Sequence, residues 1–556
     1  MIRILAKSST FIVLAISFVI FYFSFDSKKI STNVLDLFPK VEQREMLDIY
    51  YKLEDSHNVL IYTKGDTEAL KEIDSIKDIK PLKDDIYLLS IDKDVKLEDF
   101  YDKFIEKIKD FDDIKYFSQD ILNIENSRAI FDDINIIMAS SISFLIILYL
   151  LILRIPYLSL NTIITIISAN LLGISAMSII YDDVNIMSLN FGIAIGNLAI
   201  DYMLHHHFFR IYIHKFKFNK SVFYGFLTTF IGFLICLFIP FPLLSQLSIY
   251  AMVCLLVSYL SFGISYQFIK FKKPIFYRNL RKLRKPKFSN KVILPLSILA
   301  LAIALPNLKL DYHIERLDYE NKARLSDRDY FTANLAQDRS IIIKADSKDK
   351  LDYKNQDSFI SKILSKINPQ DELKSDITNL KIEPYNGVYY AKINIADSAL
   401  SKVESLDFVD SRTPKELSDE ITSGIYKPMI IILSLVIVIM LLIVLLITKS
   451  LISISFIITP LSVIFVFLLF GEVNIMHLFS LLIVVVSSVD YGIYVNKEGE
   501  NICTLHAIIF SALTTLAGFG FLSFSNILAL HSFGITILLG VGSILLLLLF
   551  QRRRTL

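Results

Sequence analysis

The chain reads as a polytopic α-helical membrane protein with twelve transmembrane helices, built as two 1+5 repeats, and two periplasmic α+β domains. Three observations predict this. The 556 residues are 53% hydrophobic, and the apolar ones fall in blocks of about 20, the length of a helix that crosses a bilayer. Charged residues are confined to the segments between those blocks. One pattern also occurs twice: an Asn-Ile-Met triplet stands 16 residues ahead of an Asp-Tyr pair, from Asn185 to Asp201-Tyr202 and again from Asn474 to Asp490-Tyr491.

Residues 1–25 carry Arg3 and Lys7 and then an apolar run from Thr10 to Phe25. No small-x-small cleavage site follows, so this reads as an uncleaved first span with a cytoplasmic N-terminus. Residues 26–133 are rich in Lys, Asp and Glu and form the first outer domain, with a strand at Asn58–Thr63 and an amphipathic helix at Leu97–Lys109. Residues 134–270 hold spans 2–6, near 134–153, 158–180, 185–208, 221–240 and 245–269. A basic cytoplasmic loop, 271–291, follows; Lys270 to Lys291 contains ten Lys or Arg and no acid. Beside membrane spans, such a run rests on anionic headgroups rather than on nucleic acid. Span 7 is 292–306, and residues 307–427 are the second outer domain. Spans 8–12 fill 428–550, near 428–448, 451–470, 474–495, 503–522 and 527–550, ahead of the cytoplasmic tail 551–556.

Threading these spans puts both charged domains on one side. Arg154, Arg210 to Lys220, Lys270 to Lys291, Lys449 and Arg552 to Arg554 fall on the other, as the positive-inside rule requires of a multi-pass protein of the bacterial inner membrane. The termini are then cytoplasmic. Cys236, Cys254 and Cys503 all lie in apolar runs, which fits small core residues and gives no disulfide framework or thiolate metal site.

The two halves match further. Thr228-Thr229 in the fifth span corresponds to Thr514-Thr515 in the eleventh. In the outer domains Leu35-Asp36-Leu37 corresponds to Leu317-Asp318-Tyr319, and Val59-Leu60-Ile61 to Ile341-Ile342-Ile343. Both copies enter the membrane in the same sense, a parallel repeat that brings the fourth and tenth spans to a central axis. An ionised Asp at mid-membrane costs roughly 2.5–3.5 kcal/mol on insertion scales, and such acids mark ion pathways. Asp201 and Asp490 are therefore the candidate proton carriers, titrating as a coupled pair.

Adjacent helix residues do not face each other, so Tyr202 and Tyr491 are expected each to serve the acid of the opposite half, unless they simply pack. Thr228, Thr229, Thr514 and Thr515 either line a proton wire or bond their own backbone. Asn197 and His205 lie four residues either side of Asp201 on the same helix face, and His205 is a candidate relay or part of a headgroup-level cluster. His205, His206 and His207 point around the helix and cannot converge on a metal. No GxxxxGK[ST] or GxSxG motif occurs, which argues against ATP hydrolysis and esterase chemistry. No enzyme activity and no cofactor are expected.

This arrangement resembles the resistance–nodulation–division (RND) superfamily of exporters, in its mycobacterial-membrane-protein-large (MMPL) and predicted-exporter branch. The resemblance rests on the 1+5 layout and on the Asp-Tyr pairs in both the fourth and tenth spans. Drug-efflux members carry two adjacent acids in the fourth span and a Lys in the tenth; here Ile200 precedes Asp201, and no Lys occurs in the tenth span before Lys497. The resemblance implies ferredoxin-like porter domains and proton-driven export of a lipid or other hydrophobic molecule. The outer domains are too short for a tunnel-docking module, which points to a periplasmic lipid carrier as partner. A proton-driven helper of protein translocation shares the plan, as does a sterol-sensing-like lipid-binding protein that does not pump. The latter has no need of both acids.

Overall fold

The computed structural model describes residues 2–552 except 32–38, 54–56, 66, 74, 93–94, 110, 112, 155, 186–187, 190, 194–199, 213–218, 266–287, 313–320, 336–337, 371, 375–376, 378–379 and 498–501. The chain divides into two units: residues 1–39, 133–312 and 422–556, and residues 40–132 and 313–421.

In the first unit, nine helices among the described residues are long and apolar enough to cross a bilayer. Shorter apolar helices lie at Ser9–Ser24 and Lys220–Cys236, and a 13-residue helix, Ile200–Tyr212, carries Asp201. Burial sorts them. In Ile475–Asn496, 94% of the most apolar window is buried in protein, against 17% in Asn290–Asn307. The Asp490 helix is thus central, and Asn290–Asn307 presents its apolar surface outward. Polar pairs stitch the apolar helices together: Thr10 Oγ1 donates to Asn161 Oδ1 at 2.7 Å, and Ser297 meets Thr459 at 2.9 Å.

Matching features recur in the two halves of this unit. Ile30-Ser31 pairs in parallel with Val184-Asn185, and Lys309-Leu310 with Glu472-Val473. Each ties the stretch after one helix to the residues that open an Asp-bearing segment. Arg154 and Lys449, both at φ +51°, end Gln119–Leu153 and Pro414–Thr448. Their amides bond back to Leu150 O and Leu445 O, the left-handed cap that stops a helix.

Two boundaries differ from expectation. Helices Gln119–Leu153 and Pro414–Thr448 are each 35 residues long and begin well before the apolar blocks at 134 and 428. Hydropathy marks where a helix meets lipid, not where it starts. Its start is fixed by backbone and capping groups that can lie in water.

The second unit holds two four-stranded antiparallel sheets. The first contains β1 (His57–Tyr62), β2 (Ile76–Lys83), β3 (Ile86–Ile91) and β4 (Lys115–Phe117); the second contains β5 (Asp338–Ala345), β6 (Ile382–Tyr385), β7 (Val388–Ala396) and β8 (Val409–Asp410). Their orders are β2-β3-β1-β4 and β6-β7-β5-β8, the same ferredoxin-like arrangement twice. The apolar triplets Val59-Leu60-Ile61 and Ile341-Ile342-Ile343 lie on the equivalent strands β1 and β5. The predicted amphipathic helix is Leu97–Ile108, which buries Phe100, Phe104 and Ile108 against the first sheet. The Leu35 and Leu317 triplets lie outside the described residues.

The two sheets exchange helices. Glu42–Lys52 packs beside β6, with Lys392 over the Tyr50 ring. Lys322–Asn334 packs beside β4, with Arg324 stacked on Tyr116 at 3.7 Å. Glu125 binds the second exchange: it accepts from Tyr101, Tyr116 and Asn321 and pairs with Arg324 at 3.3 Å. Burial and the Glu125 charge push the Tyr101 hydroxyl up to about 12, so it stays a donor.

Candidate functional site

The Asn of the repeated triplet has a structural task in the second copy. Asn474 Oδ1 accepts from the amides of Met476 and His477, both at 3.1 Å, and so caps helix Ile475–Lys497. At 1.5 Å rise per residue this sets Asp490 about 24 Å along the helix from its N-terminal cap.

Asp490 is buried among helices and faces Lys220–Cys236. Its Oδ1 accepts from Thr228 Oγ1 at 2.9 Å and its Oδ2 from Thr229 Oγ1 at 2.7 Å. The two threonines come from the other half of the chain, and both are buried. Thr228 Oγ1 also lies 2.9 Å from the carbonyls of Tyr224 and Gly225 on its own helix. A hydroxyl has one proton to donate and lone pairs to accept with. When Asp490 is ionised, Thr228 donates to it. When Asp490 is protonated on Oδ1, it donates to Thr228, whose proton turns to a backbone carbonyl. Both states are then satisfied without moving a helix, and no buried group is left unpaired.

Asp201 is held differently. Its carboxyl meets the hydroxyls of Ser511 and Tyr491, which lie 2.9 Å from each other. Asp201 Oδ1 is sealed from solvent and has no hydrogen-bond partner among the described residues. Among the described residues neither acid meets a Lys or Arg, and the charge of Asp201 is felt at Asp490.

Tyr491 thus reaches the acid of the opposite half. Tyr202 does so through an intermediary: its hydroxyl meets Thr229, which bonds Asp490. Thr228 and Thr229 stand beside an acid, but Thr514 and Thr515 do not. Both donate to the carbonyl of Ser511, at 2.7 and 3.1 Å; Thr515 also meets the Tyr491 hydroxyl. The physical reason is one of register. In this half the hydroxyl that reaches the carboxyl belongs to Ser511, one turn earlier, and the threonines satisfy themselves on their own backbone. His205 is buried, with its ring 3.8 Å from that of Tyr494. Asn197 lies outside the described residues, as does the basic stretch 266–287. Among the described residues no group of His, Cys, Asp and Glu is arranged to hold a metal.

Ser511, Gly225 and Tyr494 belong to the site and escaped the reading of the sequence. A Cβ at Gly225 would stand 2.4 Å from Tyr494 Oη and 3.4 Å from Asp490 Cγ, so a side chain here would have to displace the Tyr494 hydroxyl. One signal was present: Gly225 and Ser511 each stand three residues before a Thr-Thr pair.

No family model matches the sequence, and no curated protein matches it. Among solved structures the chain is similar to a crystal structure of SecDF in super-membrane-facing form, with a TM-score of 0.42 and 10% identity over 91% of this chain and 84% of that one.

Proposed function

We propose that this protein is a proton-driven secondary exporter in which Asp201 and Asp490 load and release protons. One observation carries the reading: Asp490 sits in the membrane-spanning unit with threonine hydroxyls on both oxygens and no cation among the described residues, in a site that accommodates either protonation state. A buried structural carboxylate is ordinarily paired with a cation; this one is arranged to be neutralised by a proton. Protons enter from the outer side, neutralise the pair, and leave toward the cytoplasm. Moving one charge through the membrane potential supplies about 2.3 kcal/mol per 100 mV.

The cargo we propose is a lipid or similarly hydrophobic molecule, handed on to a periplasmic carrier. Two features of the outer unit support this. A cleft of about 460 Å³ has apolar walls from Leu60, Phe117, Phe331 and Leu335 and a charged rim that includes Arg328 and Arg339, within the size range of small-molecule sites. The open edge of the first sheet is β2, with Lys77, Lys80, Lys83 and Pro81 and two register shifts. Those devices discourage the addition of a polypeptide strand.

The test replaces Asp201 and Asp490, singly, by Asn and compares the lipids of inner and outer membranes with wild type and with a clean deletion. Both variants should insert, cut export at least about hundredfold, and strand one lipid class in the inner membrane. If either variant exports normally, that acid carries no obligatory proton. If the deletion leaves lipids unchanged and secreted precursor proteins accumulate instead, the cargo is polypeptide.

A further inference from the structure

The first sheet has two unlike faces. One carries its core, where Val59, Ile61, Leu89 and Phe104 are buried. On the other, strand register sets Leu60 of β1 between Phe117 of β4 and Leu88 of β3, with Lys80 of β2 next in line. The three apolar side chains of this row are only half-buried. At about 4.8 Å between strands, the row covers roughly 10 Å and Lys80 stands one strand beyond it. Arg328, Phe331 and Thr332 share one face of helix Lys322–Asn334. With Leu335, Leu60 and Phe117 they line the 460 Å³ cleft.

The second sheet shows that the fold itself does not require such a row. The position equivalent to Leu60 is Ile342, which is 2% exposed. Its neighbours across the strands are Asp410 and Lys392, the first held by Arg412 and the second over the Tyr50 ring. The same helix-on-sheet plan thus closes over one apolar residue flanked by charges in one sheet, and leaves three half-open in the other. Apolar surface left facing water forgoes the free energy of burial, and an apolar chain laid along the row recovers it.

The polar lining narrows the choice of ligand. The guanidinium of Arg328 is half exposed and meets only its sequence neighbour Asp329, at 3.5 Å. Arg339 is engaged by Asp397 at 3.0 Å, with Glu416 at 4.0 Å, and Lys80 pairs with Asp78 at 3.8 Å. Asp338 shares the lining and opposes a second negative charge. One loosely held cation suits one negative charge, and a guanidinium fork matches a carboxylate with two parallel bonds. The volume lies in the lower half of the range of small-molecule sites, which suits one chain rather than two. Resting on the reading of this cleft as the cargo site, we infer that it takes a single long-chain fatty acid. The chain lies along Phe117 and Leu60, and the carboxylate meets Arg328.

The full-length protein in nanodiscs tests this without a proton gradient. Palmitate bearing a diazirine in its chain is added and irradiated, and mass spectrometry reads the labelled residues. Label should gather on β1, β4 and helix Lys322–Asn334. Unlabelled palmitate should displace it at a concentration at least about tenfold below that needed of hexadecanol, which has the same chain and no charge. Arg328→Gln changes a half-exposed side chain on a helix surface. It should weaken displacement by palmitate at least about tenfold and leave hexadecanol as before. Leu60→Glu sets a charge in the path of the chain and should remove label from the cleft.

Label confined to the membrane-spanning helices overturns the site. Equal displacement by palmitate and hexadecanol overturns the role of the carboxylate, as does an Arg328→Gln variant that displaces like wild type. Stronger displacement by lysophosphatidic acid than by palmitate overturns the choice of head group. If palmitate labels the cleft as expected while a clean deletion leaves the lipids of both membranes unchanged, the site stands and the export reading fails.

Discussion

Asp490 and Asp201 hold matching places in the sequence and unequal places in the structure. Asp490 has a donor on each oxygen, both from one turn of one helix. Asp201 shares two hydroxyls that also meet each other, and one of its oxygens has no partner among the described residues. A duplicated site need not keep duplicated roles. The hydroxyls on both oxygens of Asp490 compensate a charge there, whereas an oxygen left without a partner makes a charge on Asp201 more costly.

That contrast can be broken most directly at the threonines. Thr228→Val with Thr229→Val keeps shape and removes both donors to Asp490; export should fall by about tenfold to hundredfold. Thr514→Val removes a hydroxyl that bonds only its own helix, and export should stay within about twofold. Equal losses would mean that both pairs act alike. Ser511→Ala comes next: Asp201 retains Tyr491, so a fall of about three- to tenfold in export is expected, with Ser511→Thr restoring much of it.

The smallest effect sharpens the same comparison in the two sheets of the second unit. The turn between β6 and β7 uses Asn386 at φ +49° and Gly387 at φ +79°, whereas the turn between β2 and β3 places Asp84 at φ +45°. Gly387→Ala should destabilise the second unit by about 1 kcal/mol, read by thermal unfolding, while Asp84→Gly should cost little or relieve strain.

The sequence disclosed what was repeated. Asp201, Asp490, Tyr491, Thr228 and Thr229 were legible because a carboxylate in an apolar run is rare and each motif had an echo. Ser511, Gly225 and Tyr494 were not, since a lone Ser, Gly or Tyr in a membrane helix is ordinary and its meaning depends on which helix lies opposite. At Thr514 and Thr515 the echo marked hydroxyls that donate to the carbonyl of Ser511, while the hydroxyl beside Asp201 is that of Ser511. Strand order was partly legible: the β1 and β5 triplets marked equivalent strands. The early starts at Gln119 and Pro414 were hidden, because polar helix residues in water leave no hydropathy signal.

The exchanged helices of the second unit bear on how the chain is made. Glu42–Lys52 leaves the ribosome early, yet its packing partner β6 is Ile382–Tyr385. At about 5–20 residues per second, roughly 330 intervening residues hold that helix without its partner for on the order of half a minute. Through that interval its buried face, Met46, Leu47 and Ile49, is exposed on a nascent chain whose first helices are already entering the bilayer. The first sheet of this unit cannot be completed before the second is synthesised, so a ribosome stalled before residue 382 leaves an adhesive intermediate, a substrate for chaperones and proteases.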